Sequence, residues 1–259
     1  MSFAAEPNPP SDALDVLTKS AIKAPAHVFD LLRRLHQLSL DQEFALKNDQ
    51  TIQKWKKNTD LDAAQRKEFF DNLMRDKFIA LTPDKSIFMY NLARASGALN
   101  IVECGTSYGV STIYLALAVG QNAAQKGVAA GGAKVIATEN EPSKAKQARK
   151  YWEEAGESVE RYIELREGDL TKTLQADLPP IDFVLFDIWS PMVMPTLRIL
   201  EPKLKPGAIL LADNTAAPGN GYGEFLSHIR GDGAPYTDMT LPFQDGLEMA
   251  VYSPGSSTT

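Results

Sequence analysis

The chain has 259 residues, a formal net charge of −6 at pH 7 and a pI near 5.2. This length fits one α/β domain with an N-terminal extension and is enough to bury a substantial core. The acidic balance argues against a nucleic-acid partner, because proteins that bind the phosphate backbone usually carry a basic excess. Apolar runs are too short for a membrane span and the first residues lack the pattern of a signal peptide, so we expect a cytoplasmic protein without a membrane partner.

The cysteine content also fits a protein of a reducing compartment. The single Cys104 excludes an internal disulfide and a cysteine zinc site. It lies inside an apolar strand pattern, which favours a role in core packing over redox chemistry.

The N-terminal third has a helical pattern. Residues 1–12 are rich in Pro, Ala and polar groups, which predicts disorder. Residues 13–82 form a predicted helical extension, with helices reaching to Met74. Their apolar residues recur at three- and four-residue intervals, as at Val28, Leu31, Leu32, Leu35 and Leu38. We expect this extension to cover the active site, to form a homodimer surface, or both.

Strands and helices alternate in the predicted domain, residues 83–254, and residues 255–259 are predicted to be a flexible tail. The predicted strands are 100–104, 134–139, 163–167, 181–187, 208–214, 237–241 and 247–252. The predicted helices are 110–118, 142–155, 192–204 and 224–230, with another that begins at Pro83. Residues 121–132 are rich in Ala and Gly and are taken as a surface insertion. The pattern predicts a doubly wound, mostly parallel seven-stranded sheet with an antiparallel edge strand, a Rossmann-like fold.

Two short apolar runs end at acidic residues. Residues 181–187 end at Asp187, and residues 208–214 end at Asp213 and Asn214. Runs this apolar are typical of neighbouring buried parallel strands, so these side chains should meet at the sheet edge where open α/β sheets bind ligands. Two carboxylates and an amide oxygen form a set that suits Mg²⁺. Alternatively, Asp187 caps a helix and the Asp-Asn pair makes a turn.

The loop after the first predicted strand indicates the cofactor class. It runs from Glu103 to Ser111 and places Gly105 and Gly109 four residues apart. It is neither a G-x-G-x-x-G motif nor a phosphate-binding P-loop, so a dinucleotide or triphosphate is disfavoured. The acidic Glu103 would suit a ligand with positive charge.

Acidic residues also end the next two strands. Glu139 could accept hydrogen bonds from a ribose diol, and Asp169 could meet an adenine amino group. Each of them could equally have a structural role. Together with Glu103, these two residues predict a ligand that consists of a nucleoside with a cationic tail.

From about Pro83 to Tyr252 the chain resembles the class I S-adenosylmethionine-dependent methyltransferases. Within them it resembles the metal-dependent O-methyltransferases that include catechol O-methyltransferase and caffeoyl-CoA O-methyltransferase. The segments that carry the resemblance are Leu211-Ala212-Asp213-Asn214, Pro218-Gly219, residues 225–231 and Asp245-Gly246-Leu247-Glu248.

The resemblance implies roles for individual residues. It implies that Glu103, Gly105 and Ser111 hold the methionine end of S-adenosylmethionine and that Glu139 holds the ribose. Ser107, Tyr108 and Gly109 lie in the same cofactor loop, where Ser107 replaces the family's usual aromatic residue. The implied Mg²⁺ ligands are Asp187, Asp213 and Asn214, of which Asp187 also borders the cofactor. Trp189 would form a wall of the acceptor site.

Two departures from the catechol-type pattern concern catalysis and the acceptor. Ser190 stands where that family has a lysine general base, and Met239 stands near the position of the glutamate that holds the second catechol oxygen. A serine cannot replace the base directly, so either the metal effect suffices or another group takes the proton. His228 is one candidate, as are His27, His36 and lysines of the N-terminal helices, although each histidine has a structural alternative.

The sequence therefore predicts an S-adenosylmethionine-dependent, Mg²⁺-dependent O-methyltransferase of a small phenolic or secondary-metabolite acceptor. The acceptor pocket is expected around Trp189, Ser190, Met192 and Met239. Three alternatives remain open: methylation of a nitrogen or carboxylate, a metal-free enzyme, and a cofactor-binding protein without turnover.

Overall fold

The structure is a computed structural model that describes residues 11–50, 52, 62, 65, 69, 72–129, 131–217, 219 and 221–255. Most of the N-terminal segment predicted to be disordered, part of the predicted helical extension and the end of the predicted tail lie outside these residues. Within the described ranges, no helix combines the length and apolar character that a membrane span requires.

Seven strands and a series of helices make up the described chain. The strands are β1 (Asn100–Cys104), β2 (Lys134–Glu139), β3 (Ile163–Glu167), β4 (Ile181–Phe186), β5 (Leu204–Asp213), β6 (Tyr236–Leu241) and β7 (Leu247–Tyr252). The α-helices are α1 (Ala26–Asn48), α2 (Pro83–Ser96), α3 (Val110–Lys126), α4 (Pro142–Ala155), α5 (Glu157–Glu160), α6 (Leu170–Thr173), α7 (Val193–Leu200) and α8 (Gly223–Arg230). Short 3₁₀ turns cover Ser11–Leu14, Ser190–Met192 and Glu201–Lys203.

The strands form one sheet in the order β3-β2-β1-β4-β5-β7-β6. The pairs among β1 to β5 are all parallel, whereas β7 is antiparallel to both β5 and β6. This confirms the predicted doubly wound sheet with a reversed edge. The strand order reverses between β2-β1 and β4-β5, which is where sheets of this kind bind ligands.

Side chains of the central strands alternate between two cores, one on each face of the sheet. On β4, Phe183 and Leu185 face the core under α1, α2 and α3, while Val184 and Phe186 face the core under α7 and α8. This alternation follows from the two-residue period of a strand. Because both faces are covered, the central strands are mostly apolar, as the sequence indicates. Cys104 is fully buried in the second core, and burial raises the pKa of its thiol.

Helix α1 packs into the first core and does not stand apart from the domain. Val28, Leu32 and Leu35 are fully buried in this core. Nε2 of the buried His36 lies 2.8 Å from the hydroxyl of Tyr114 on α3. The described part of the N-terminal extension therefore shares its core with the sheet.

The structure corrects three predicted elements. Residues 15–25 lie in the stretch with a helical pattern but form no continuous helix, and α1 begins only after Pro25, which is its N-cap. Residues 121–126, predicted as part of an insertion, belong to α3, which ends at Gly127 in a left-handed conformation. The predicted helix over 192–204 divides into two 3₁₀ turns around α7, and β5 already begins at Leu204, where a register shift against β4 accommodates the Pro206-Gly207 step.

Candidate active site

Four parallel strands bring the predicted cation ligands, Glu103 and Glu139 to one edge of the sheet. Near the carboxyl ends of β1, β4 and β5, Cys104 lies beside Phe186 and Phe186 lies beside Ala212. Asp187 and Asp213 follow in the next row, so the two carboxylates come together as the sequence predicts. Glu139 ends β2 on the other side of β1.

The glycine loop between β1 and α3 has a backbone that requires its glycines. Gly105 has φ +90° and Gly109 has φ +81°, both in a region that L side chains rarely adopt. A Cβ atom at Gly109 would lie 2.4 Å from the indole nitrogen of Trp152, and that indole N–H donates to the Gly109 carbonyl at 3.0 Å. These constraints place the N-terminus of α3 above the end of β1.

Glu103 is fully buried beneath this loop. Its carboxylate accepts hydrogen bonds from the hydroxyls of Thr106 at 2.7 Å, Ser111 at 2.5 Å and Thr112. Burial raises the pKa of Glu103, although these three hydrogen bonds act in the opposite direction. In this arrangement, Glu103 and Ser111, both predicted to hold the methionine end of the cofactor, bind each other and stabilise the loop.

Glu139 is fixed at the end of β2 by two backbone donors. Its carboxylate accepts from the N–H of Ser107 at 2.7 Å and from the N–H of Glu141 at 2.8 Å. The carboxylate predicted to bind ribose is therefore tied to the glycine loop.

Asp169 caps a helix in this structure. It is the N-cap of α6, and its Oδ1 accepts from the backbone N–H of Thr171 at 2.9 Å and from the Thr171 hydroxyl at 2.6 Å. These hydrogen bonds lower the pKa of Asp169. The structural alternative considered for this residue is thus realised, while the predicted adenine contact stays a prediction.

The half-buried Asp187 and the buried Asp213 form an acidic pair. Burial raises the pKa of Asp187 to about 8, and the neighbouring charges of Asp213 and Glu103 act in the same direction. Burial also raises the pKa of Asp213, against the effect of the Lys85 ammonium. Asn214 follows on the surface with φ +60°, and its N–H donates to the Gly246 carbonyl at 3.1 Å.

The residues at this position fit a hard divalent cation. Burial raises the pKa of both carboxylates, and the charge of Asp213 raises that of Asp187 further, so a cation between them would stabilise their ionised forms. Asn214 adds an amide oxygen donor at the same turn. Among the described residues, no group of three or more His, Cys, Asp or Glu side chains could hold a metal. A metal here would therefore depend on the two carboxylates together with the amide.

The predicted acceptor residues are dispersed. Trp189 is 39% exposed and precedes the 3₁₀ turn that contains Ser190 and Met192. The Ser190 hydroxyl packs against Gly221, where a Cβ atom would lie 2.5 Å from it. Met239 lies within the edge strand β6 and is 56% exposed.

His228 is not brought to this edge. Its Nε2 lies 2.9 Å from Oε1 of Glu201, in the turn that leads into β5. The same carboxylate oxygen accepts from the hydroxyl of Tyr236 at 2.6 Å, and Tyr236 pairs with Tyr252 at the end of β7. Since β7 runs antiparallel to β5, this cluster lies at the opposite edge of the sheet, and we give His228 no part in the proposed mechanism.

Sequence reasoning missed two residues beside the acidic pair. Lys85 on α2 is buried and donates from Nζ to Oδ1 of Asp213 at 2.6 Å. The buried Tyr222 lies close enough for the charges of Asp187 and Asp213, together with burial, to raise its pKa. The helical period could have indicated that Lys85 is buried, because Lys85 shares a helix face with the apolar Met89 and Ala93, four and eight residues further along. We see no comparable signal for Tyr222.

Sequence reasoning also missed residues 78–81, a segment that we name the strap. Ile79, Ala80 and Leu81 line a small cavity together with the glycine loop and Asp187. Two hydrogen bonds attach the strap to α1. The N–H of Phe78 donates to Oε1 of Gln42 at 3.0 Å, and the N–H of Ala80 donates to Oγ of Ser39 at 2.9 Å. The ring of Phe78 also stacks on Tyr108, with centroids 4.6 Å apart. Helix α1 thereby holds in place the segment that forms one wall of the predicted cofactor pocket.

Comparisons with known proteins agree with this fold. A family model described as a methyltransferase domain matches residues 102–215. Catechol O-methyltransferase of Sus scrofa is 38% identical over 93 residues, which cover 31% of this chain and 47% of that protein. Catechol O-methyltransferase of Niastella koreensis is 27% identical over 145 residues, which cover 54% of this chain and 60% of that protein. The chain thus spans about half the length of these curated relatives.

A solved structure agrees at the level of the fold. The O-methyltransferase from Bacillus cereus in complex with SAH superposes with a TM-score of 0.56 at 19% identity, over 85% of this chain and 100% of that one. The sheet order and the family match over residues 102–215 show that this part of the chain has a methyltransferase fold. Within this fold class it resembles the O-methyltransferases that include the catechol enzyme.

Proposed function

We propose that this chain is an S-adenosylmethionine-dependent O-methyltransferase that acts on a hydroxyl of a small phenol-like acceptor with the help of Mg²⁺ or another divalent cation. The main support is the meeting of Asp187 and Asp213 at the carboxyl edge of the sheet, directly beside the glycine loop. The similarity to catechol O-methyltransferases supports transfer to oxygen.

The cofactor side of the proposal uses the glycine loop and its neighbours. Glu139 would accept from the ribose hydroxyls, and the loop from Gly105 to Gly109 would let the cofactor approach the backbone closely. Asp187 would border both cofactor and cation, because it lines the cavity that the strap and the loop enclose. The apolar strap residues would keep water away from the sulfonium methyl group.

The acceptor side uses the acidic pair. Asp187, Asp213 and Asn214 would hold the cation, which when bound would lower the pKa of an acceptor hydroxyl and fix its direction. Methyl transfer from a sulfonium needs an electron-rich acceptor in line with the S–CH₃ bond and no covalent enzyme intermediate. Ser190 cannot act as a general base by itself. The cation would therefore make the acceptor hydroxyl acidic enough to lose its proton.

A product assay tests this proposal. The purified chain would be incubated with S-adenosylmethionine, with and without Mg²⁺, against panels of catechols, monophenols, amines and carboxylic acids, and methylated products would be identified by mass spectrometry. O-methylated phenols that disappear after exhaustive chelation and return with Mg²⁺ are expected. Full activity after chelation would reject the role of the cation. Cofactor binding by calorimetry without any product would instead favour a binding protein.

A further inference from the structure

Lys85 occupies a core position. It lies in the first turn of α2, is 2% exposed and shares its helix face with the fully buried Met89 and Ala93. Lysine is almost never fully buried unless it is paired. Burying an ion pair costs desolvation free energy, and well-packed apolar residues often replace such a pair without loss of stability. Stability alone therefore does not account for a lysine here.

The partners of Lys85 point to the proposed cation site. Its Nζ donates to Oδ1 of Asp213 at 2.6 Å and to the carbonyl of Gly246 at 3.2 Å. The Gly246 carbonyl also accepts from the N–H of Asn214. One ammonium thus connects the side chain of one proposed ligand to the backbone turn that carries the other.

This geometry restricts how Asp213 can bind. With Oδ1 engaged by the ammonium, the carboxylate cannot rotate freely about its Cβ–Cγ bond, and this fixes the direction in which Oδ2 points. Hydrogen-bond partners of metal ligands commonly fix ligand orientation in this way. The ammonium also repels a cation, so its presence is useful only if orientation outweighs repulsion.

We propose that Lys85 is a positioning residue for the cation site: its ammonium holds Oδ1 of Asp213 and so directs Oδ2 toward the divalent ion. This inference rests on the proposed function, because it assumes that Asp213 is a cation ligand. It assigns Lys85 no proton transfer and no contact with the acceptor.

Binding of Mn²⁺, followed by electron paramagnetic resonance of the full chain without acceptor, tests the inference. Lys85→Met removes both the charge and the donor, and the dissociation constant for Mn²⁺ is expected to rise by about 10- to 100-fold. Lys85→Gln keeps an N–H donor without the charge and should recover part of that loss. Affinity for S-adenosylmethionine should stay near that of the unchanged chain in both variants.

Lys205→Met is the matched control. Lys205 forms a Lys–Asp pair of the same length, 2.6 Å, with Asp182 at the opposite edge of the sheet. The Lys205→Met variant should bind Mn²⁺ as tightly as the unchanged chain. Melting temperatures of all variants would show whether each one is folded, and Lys85→Gln keeps the test valid if Lys85→Met does not fold.

The outcomes separate the two proposals. Failure of the unchanged chain to bind Mn²⁺ would reject the cation in the proposed function. If the unchanged chain binds Mn²⁺ and folded Lys85→Met binds it equally well or more tightly, Lys85 does not position Asp213. Equal losses in Lys85→Met and Lys85→Gln would also overturn the inference, since the donor would then contribute nothing.

Discussion

The carbonyl oxygen of Asp187 occupies the space in which a side chain at Gly105 would begin. A Cβ atom built on Gly105 would lie 2.2 Å from that oxygen, and the backbone of Gly105 has φ +90°. The N–H of Asp187 in turn donates to the carbonyl of Cys104 at 3.0 Å. The start of the cofactor loop and the first residue of the acidic pair are therefore in direct backbone contact, so that a shift in one must displace the other.

Gly105→Ala should disrupt both features. The collision with a backbone atom and the strained φ together predict a loss of about 3 kcal/mol or more in the free energy of unfolding, and loss of S-adenosylmethionine binding. Gly207→Ala is the control, because Gly207 has φ +84° but nothing within 4 Å of its Cβ position. Chemical denaturation and calorimetry would measure the two effects. Comparable, small changes in both variants would contradict this account of Gly105.

Asp213→Asn should separate chemistry from cofactor binding. The amide keeps an acceptor for the Lys85 ammonium but removes the negative charge, so methyl transfer should fall by about 100-fold or more while cofactor affinity changes little. Initial rates at saturating cofactor and calorimetric titration would give the two quantities. A large loss of cofactor affinity would mean that Asp213 belongs to the cofactor site.

Glu139→Gln should have the reverse effect. Loss of charge-assisted hydrogen bonds to the ribose predicts about a 10- to 100-fold weaker affinity for S-adenosylmethionine. Because the change lies on the far side of β1 from the acidic pair, Mn²⁺ binding should not change. If cofactor affinity stays the same, Glu139 serves only to hold the glycine loop through Ser107.

His36 should make the stability of the protein depend on pH. Burial lowers the pKa of His36 from 6.5 to about 4, so between these values the unfolded chain binds a proton that the folded chain does not. Stability is therefore present in full above about pH 6.5 and falls by up to about 1.4 kcal/mol per pH unit as the pH drops toward 4. In His36→Gln this part of the slope should be missing.

The measurement is urea denaturation of both proteins across this pH range, compared as a difference so that the carboxylates common to both cancel. His27→Gln, a change at an exposed histidine of the same helix, serves as the control. Parallel curves for the unchanged chain and His36→Gln would show that His36 is not buried as a neutral side chain.

Local sequence patterns were sufficient for much of the fold. The apolar runs that end at Asp187 and Asp213 predict neighbouring parallel strands, and the register of β4 and β5 confirms it. The reversed strand β7 was likewise predicted, from the turn around Asp245 and Gly246. Each of these signals lies within a few residues of the element that it predicts.

Element boundaries were less accurate where composition was ambiguous. An Ala-rich stretch suits both a helix and an insertion, and the structure assigns residues 121–126 to α3. At residue 204 the chain passes from a 3₁₀ turn into β5 within one step, and a register shift in the sheet, not a local signal, decides where the strand begins.

By itself, the sequence determined which acidic residues end which strands, because strand length, apolar content and turn chemistry are local properties. Only the tertiary structure showed that Lys85 forms an ion pair with Asp213, 128 residues away. It alone also showed that hydrogen bonds from α1 hold the strap beside the glycine loop. Contacts between distant segments depend on how whole helices pack on the sheet, and no short-range periodicity encodes that packing.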